Sequence, residues 1–378
     1  MLFDHYSSQK ADAHISAIQE LILKGQGKEQ IAKQLGLVEF DELYSIAKAR
    51  TKSTKTSSDY FLNEEDLRFA TNELVAEYRA KRLACDILVE VGCGVGMQTI
   101  AFAKTCKKVI AVDIDARKVC YATENAKKFG IANVEFIQGD GIVALAKLAQ
   151  ADTVFVDPQR PPSEEMRDFR TSFKPPIHDI IAAASRLTPN IAIELPPQIQ
   201  NIDVDCEKEY VSVDHDLNRL TIYLGKLKQH DASAVVLPGP HLLAGEAPSL
   251  GTKSPVMKYL YEVDPAVSKA GLAGLLLKDL LLCNDEREIL FTSMVLMENP
   301  FLKRYKVIAV VKNEFEEVLG VLQRQRAGQV LLRSEIPSAR YWEERKRYES
   351  RLKGRRPCHV FVFGNEAAIC RLMHPKSL

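Results

Sequence analysis

Short apolar runs recur through the middle of this chain, and most run straight into a glycine or an acid. ILVEV at 87–91, VIAVD at 109–113, VEFIQ at 134–138, TVFV at 153–156 and IAIEL at 191–195 predict buried strands. Helix-period segments lie between them. Strands alternating with helices predict a doubly wound, parallel α/β sheet with right-handed crossovers. KEYVSVDH and NRLTIYLGKL predict two last strands, an antiparallel pair at the sheet's end. A single helix is expected over NEEDLRFATNELVAEYRAKRLA, just before the first strand.

The flanks have other patterns. Residues 1–50 carry apolar positions at helical spacing and predict helices. IAKQLGL within them resembles the first part of a helix-turn-helix, and a small structural bundle is the competing reading. TKSTKTSSD at 51–59 reads as a linker, as does the Pro-, Gly- and Ser-rich stretch 231–256. After it, YLYEVDP predicts a strand or turn, and GLAGLLLKDLLL a buried helix. YKVIAVV, QVLLRSE and CHVFVFG predict strands, with helices over EFEEVLGVLQRQ and the charged run near 339–350.

Composition narrows the class. The 378 residues are 46% hydrophobic and 27% charged, which predicts packed domains rather than disorder. The net charge of +1 gives no global attraction to polyanions, so any nucleic-acid surface must be a local patch. Eight cysteines include no Cys-x-x-Cys pair, which argues against zinc and iron–sulfur sites and suits a reducing cytoplasm. The polar N-terminus has no signal-peptide core, and no apolar run is long enough to predict a membrane span. His178 and His215 stand without ligand-spaced partners, so no metal is expected.

Candidate chemistry collects at the strand ends. The first strand runs through Glu90 into Gly92, Gly94 and Gly96, a turn whose backbone can approach a ligand closely because no Cβ intervenes. Asp113, with Ile114 after it, ends the second strand, where an acid can accept hydrogen bonds from ribose hydroxyls. Asp140 and Gly141 follow the third strand, where an acid can meet an adenine amino group. Asp157-Pro158 follows the fourth. A nicotinamide enzyme fits less well, because Glu90 would repel a pyrophosphate but suits a cationic amino acid.

This order of motifs resembles the class I S-adenosylmethionine-dependent methyltransferases, over about residues 60–228. The resemblance implies a Rossmann-like seven-stranded sheet that binds S-adenosyl-L-methionine. Glu90, Gly92, Gly94 and Gly96 would hold its methionine part. Asp113 and Ile114 would meet the ribose side, and Asp140 and Gly141 the adenine. ATNELVAEYRAKR, VSVDHDLNRLTIYLG, the Asp-Pro-x-Arg fourth motif and YLYEVDPAVSKAGL also look like methyltransferases with a C-terminal THUMP-like domain. The implied organisation is a helical segment at 1–50, a methyltransferase domain at 59–228, a linker and helical connector at 229–300, and a THUMP-like RNA-binding domain at 301–378.

Asp157 is the expected catalytic group. A carboxylate only accepts hydrogen bonds, so it can orient an exocyclic amine and receive its developing positive charge. The Pro158 carbonyl is a second acceptor. The fourth motif resembles the Asp-Pro-Pro-Tyr of amino-group methyltransferases but has Arg160 where an aromatic stands. Arg160 could stack on a base, hold a phosphate, or pair with Glu164 or Glu165. A uracil carbon mechanism would need a cysteine nucleophile, for which Cys206 is the candidate, though its acidic neighbours suppress a thiolate. Glu194 points toward the same crevice. Residues 339–357 hold eight Arg or Lys against three Glu, with Tyr341, Trp342 and Tyr348 interleaved. Arg345, Lys346, Arg347, Arg355 and Arg356 are therefore expected to contact RNA, tRNA being the favoured class. The alternatives are a methyltransferase acting on a protein or small molecule, and an RNA-binding module with a degenerate methyltransferase domain.

Overall fold

The computed structural model describes residues 1–56, 59–158, 168–286, 288–333 and 336–373. The chain divides into two compact units. The first comprises Met1–Glu209 and Arg219–Asp231, the second Tyr210–Asn218 and Ala232–Leu378.

The first unit opens with helices α1 (Leu2–His5), α2 (Ser8–Leu23), α3 (Lys28–Leu35) and α4 (Phe40–Lys52). The Ser7 side chain caps α2 by accepting the Lys10 N–H, and Gly36 ends α3 at φ 57°. These helices share a core with the α/β domain. Ile15, Ile18, Leu43 and Ile46 bury with Phe61, Met97, Ile100 and Tyr121. Arg50, almost fully buried, ties the bundle down through Asp12 at 2.8 Å and the Tyr60 carbonyl at 3.0 Å. Of the two readings of IAKQLGL, this packing favours the structural bundle.

The single helix expected before the first strand is two. They are α5 (Glu64–Phe69), capped by Asn63, and α6 (Glu73–Arg82), capped by Asn72. The break is chemical. Asn72 accepts the Leu74 N–H at 2.9 Å, and the Lys55 ammonium gathers the carbonyls of Leu67, Arg68 and Ala70 at 2.8–2.9 Å, which ends α5.

The alternating segment then supplies β1 (Ile87–Val91), α7 (Met97–Ala103), β2 (Lys108–Asp113), α8 (Ala116–Lys128), β3 (Val134–Gln138), α9 (Gly141–Lys147), β4 (Thr153–Val156), α10 (Ile177–Ser185) and β5 (Ile191–Leu195). Next come β6 (Glu207–Val213) and β7 (Asp216–Tyr223), whose hairpin tip counts with the second unit. Strands β1 to β5 pair in parallel, and β7 lies antiparallel to β5. The order is β3-β2-β1-β4-β5-β7-β6, and the same ladder continues into β8 (Ala232–Leu237) and β9 (His241–Ala244). The sheet therefore has nine strands, where the resemblance implies seven. The two extra strands occupy the stretch read as a linker, because the Pro238-Gly239 pair sits in the turn between two strands.

The second unit also holds β10 (Tyr259–Val263), α11 (Pro265–Lys269), β11 (Leu281–Asn284), β12 (Leu290–Ser293), β13 (Leu302–Lys312), α12 (Phe315–Arg324), β14 (Ala327–Arg333), α13 (Ser338–Glu349), β15 (Arg356–Phe363) and β16 (Glu366–Met373). Its sheet runs β11-β12-β10-β13-β16-β15-β14. The helix expected over 271–282 is instead a 3-10 segment, Ala273–Asp279, leading into β11. Side chains of α12 bury with those of β14, β15 and β16.

Candidate functional site

The glycine turn sits at the carboxyl end of β1, where ligands bind in open α/β sheets. Gly92, Gly94 and Gly96 all have positive φ, at 85°, 56° and 85°. Their reasons differ. A Cβ on Gly92 would stand 2.4 Å from the Asp157 carbonyl oxygen, so this glycine lets the turn pack on the end of β4. A Cβ on Gly96 would stand 3.0 Å from that of Ala122. A Cβ on Gly94 would meet nothing within 4 Å, so this glycine borders open space.

Asp113 holds the turn from β2. Its carboxylate accepts the Gly94 N–H at 2.8 Å and the Asp115 N–H at 2.9 Å. Each oxygen keeps a further lone pair for a ligand hydroxyl. Asp140 caps α9 by accepting the Val143 N–H at 3.0 Å. Gly141 is small because a Cβ there would come within 2.4 Å of a Val91 methyl. Ile114, just past β2, and Val143, in the first turn of α9, are apolar side chains 66% and 52% exposed. Ile114 was expected at the site; Val143 was not, because only its exposure marks it.

Glu90 is 1% exposed, and its Oε2 has no hydrogen-bond partner. Burial pushes its carboxyl up to about 8, with the Asp157 and Asp113 charges adding and Thr99 and Arg79 opposing. Asp157 is half-buried and Pro158 buried; the Asp157 N–H donates to the Val91 carbonyl at 3.0 Å. Arg160 lies outside the described residues.

The wall beside Asp157 is built by residues the sequence reading did not assemble. Val156 of β4 is in register with Ile193 of β5, which places Asp157 level with Glu194. Glu194 is buried between two arginines: Arg79 Nη2 at 2.7 Å from Oε2, and Arg219 Nε at 2.6 Å from Oε1. Burial opposes the Glu194 charge, but Arg219 and Arg79 outweigh it and hold the carboxyl below its usual range. Arg79 also donates to Gln98 and Thr221 and stacks 4.9 Å from the Phe155 ring centre. One turn on, Arg82 pairs with Glu207 and Glu209, so one face of α6 carries two buried ion clusters. Arg79 lies among Val75, Ala76, Ala80 and Leu83, all buried. An arginine at a core-facing helical position was the signal that a buried acid awaited it.

Cys206 is buried, and burial raises its thiol further from ionisation; the same cause acts more strongly on Cys93. His178 lies 3.1 Å from Asp203, and His215 lies 2.9 Å from buried Asp264. No cluster of potential metal ligands occurs among the described residues.

In the second unit, Arg345 pairs with Glu349 at 2.8 Å and Arg347 with Glu344 at 3.6 Å. Lys346, Arg355 and Arg356 are exposed. Tyr341 and Tyr348 pack against the unit's core, while Trp342 is 67% exposed, edge-on to Tyr341 at 5.5 Å and with the Arg345 guanidinium 5.3 Å from its ring centre.

Residues 85–230, under half of the chain, match the family described as RNA cap guanine-N2 methyltransferase. The chain is 25% identical over 198 residues to the 23S rRNA (uracil(1939)-C(5))-methyltransferase of Aeromonas hydrophila, covering 44% of this chain and 45% of that one. It is 40% identical over 63 residues to a protein of Methanocaldococcus jannaschii provisionally named a cobalt-precorrin-6B C(15)-methyltransferase, covering 17% of this chain and 34% of that one. The chain thus spans less than half the length of these relatives. A Porphyromonas gingivalis W83 protein, provisionally described as a methyltransferase, has the same fold, with a TM-score of 0.72, 16% identity, and coverage of 95% of this chain and 98% of that one. By fold and by these similarities, the chain carries a mixed α/β methyltransferase-like domain.

Proposed function

We propose that the chain is an S-adenosylmethionine-dependent methyltransferase that modifies an exocyclic nitrogen of a base in structured RNA such as tRNA. The observation that carries this reading is the acid-lined glycine turn, packed directly on Asp157. The residues suit the cofactor: Gly94 borders open space, and Glu90 presents a buried, unpartnered carboxylate oxygen. A cationic amino acid satisfies that group; a pyrophosphate does not.

Bound, the cofactor supplies a methyl group on a sulfonium. The protein's part is alignment and exclusion of water. Glu90 and the turn hold the methionine end. Asp113 meets the ribose hydroxyls, and Ile114 and Val143 offer apolar surface to the adenine beside Asp140. Asp157 accepts from the acceptor amine, directs its lone pair and balances the charge that develops on nitrogen.

The names of the relatives support an RNA substrate, and the matched family's acceptor is an amine. A uracil carbon mechanism is the second reading, because uracil C5 is the acceptor of the Aeromonas relative. Burial of Cys206 and Cys93 speaks against it, since the nucleophile would have to be a thiolate. We read residues 301–378 of the second unit as a THUMP-like RNA-holding domain, with Trp342, Lys346, Arg355 and Arg356 on its docking face. Eight free cysteines suit a cytoplasmic protein.

The test is incubation with labelled cofactor and total RNA, protein and metabolite fractions, followed by nucleoside mass spectrometry. Label is expected in an N-methylated nucleoside. Label confined to protein or metabolites overturns the RNA reading, and a C-methylated uridine overturns the amine. Asp157→Ala should keep cofactor affinity yet lose about a hundredfold or more of turnover, roughly 3 kcal/mol of barrier.

A further inference from the structure

The mechanism above gives no role to Arg219 of β7, which lies on the far side of β5 from Asp157. Leu220 of β7 is opposite Leu195 of β5, so Arg219 sits just past the carboxyl end of β5. Asp157 lies two strand spacings away, roughly 10 Å across the strands. Arg219 spends Nε on Glu194, at 2.6 Å, and Nη2 on the Phe69 carbonyl, at 3.4 Å. Its Nη1 makes no hydrogen bond among the described residues, and the side chain is 21% exposed.

Phe69, the last residue of α5, is thereby tied to this wall. Its side chain is 50% exposed and is the one aromatic among the exposed large apolar side chains of the first unit's described residues. Its position is strongly determined, because Lys55 binds the carbonyls of Leu67, Arg68 and Ala70 on either side of it. The Arg68 guanidinium lies 5.6 Å from its ring centre. The held backbone thus presents a half-exposed phenyl ring, a surface on which another ring can stack.

We propose that Phe69 and Arg219 form the acceptor slot: Phe69 stacks on the target base, and Arg219 Nη1 donates to an acceptor atom of the same nucleotide. The slot is polar in a defined sense. Asp157 only accepts hydrogen bonds and Arg219 only donates them, so a base with an amine at one edge and an acceptor at another is held in one orientation. Phe69 here is a binding residue and Glu194 a positioning residue, which fixes Arg219.

This inference rests on the RNA methyltransferase reading, and one experiment separates the two. Methyl transfer from labelled S-adenosylmethionine to total cellular RNA is measured for the full chain and for Phe69→Ala, Phe69→Leu and Phe69→Trp. S-adenosylhomocysteine affinity is measured by calorimetry alongside. Phe69→Ala and Phe69→Leu should raise half-saturating RNA about tenfold, within the range that base stacking on an aromatic supports. S-adenosylhomocysteine affinity should not change, and Phe69→Trp should restore wild-type saturation. Leucine separates stacking from simple apolar burial: a fully active Phe69→Leu overturns the slot. So does an unchanged Phe69→Ala, or one that loses cofactor affinity to the same degree. In those cases the RNA reading survives, because the parent protein still methylates RNA. If the parent transfers no label to RNA, both fall.

Discussion

The two sides of the proposed active site are made differently. The cofactor side is built from backbone. Three glycines at positive φ, the Asp113 carboxylate on the Gly94 N–H and the Asp140 cap on α9 all belong to one continuous stretch of β1 to α9. The acceptor side is built from side chains brought together across the sequence: Phe69, Arg79, Asp157, Glu194 and Arg219. A backbone-built site tolerates changes away from its glycines and caps. A site built from buried charges depends on every member, because each one left alone is an uncompensated charge.

The largest effect expected from this contrast is on the acceptor side. Arg79→Met should leave Glu194 with one partner and destabilise the fold by about 3–5 kcal/mol in denaturant unfolding. Arg79→Met combined with Glu194→Leu should recover much of that loss. If the single substitution costs no more than a surface change, the charge cluster is not what organises this wall.

Next in size are the glycines, which separate packing from ligand space. Gly92→Ala puts a methyl against the Asp157 carbonyl, where 2.4 Å is available, as well as forcing a left-handed backbone. It should cost about 1–3 kcal/mol for overpacking and about 1–2 kcal/mol for the backbone. Gly94→Ala should show only the backbone cost in unfolding, and lose S-adenosylmethionine affinity instead. Equal loss of stability in both would break the distinction.

Glu90 gives a pH signature. Its carboxyl is raised to about 8 in the folded protein, so the fold binds this proton more tightly than the unfolded chain does. Its contribution to stability is complete below the unfolded range of about 4.3 and is lost as pH rises through the folded value. A cationic ligand prefers the ionised form, so cofactor affinity should move the other way. It should rise with pH by up to ~tenfold per unit until the carboxyl ionises unaided. Calorimetry across this window should show proton release on binding. Glu90→Gln should flatten the dependence and weaken binding throughout.

The smallest effect lies in the second unit and asks whether RNA is held apart from the acceptor side. Arg345 and Arg347 are already paired with glutamates, while Lys346, Arg355 and Arg356 are exposed with no ion pair recorded among the described residues. Neutralising all five should lower the salt slope of RNA binding by about three phosphate contacts rather than five, each worth roughly 0.7–0.9 in slope. An unchanged slope would make α13 a solvated face.

By itself the sequence determined the parallel strands, their order of motifs and the glycine turn with the acids around it. Those features rest on short-range chemistry: apolar runs, glycines where φ is positive, acids at strand ends and helix caps. Asp157 was legible for the same reason, standing one residue past an apolar strand. The tertiary structure alone decided the rest. It put Arg79 and Arg219 on the two oxygens of Glu194, though Arg79 and Arg219 lie far apart along the chain. It turned a Pro- and Gly-rich stretch into the β8–β9 hairpin and split one expected helix into α5 and α6. It also packed Tyr341 and Tyr348, partly buried, against the core and left Trp342 mostly exposed. A residue's type states what it can bond. Only packing decides which partner arrives and which face is left to water, because burial makes the choice through the cost of desolvating whatever is left unpaired.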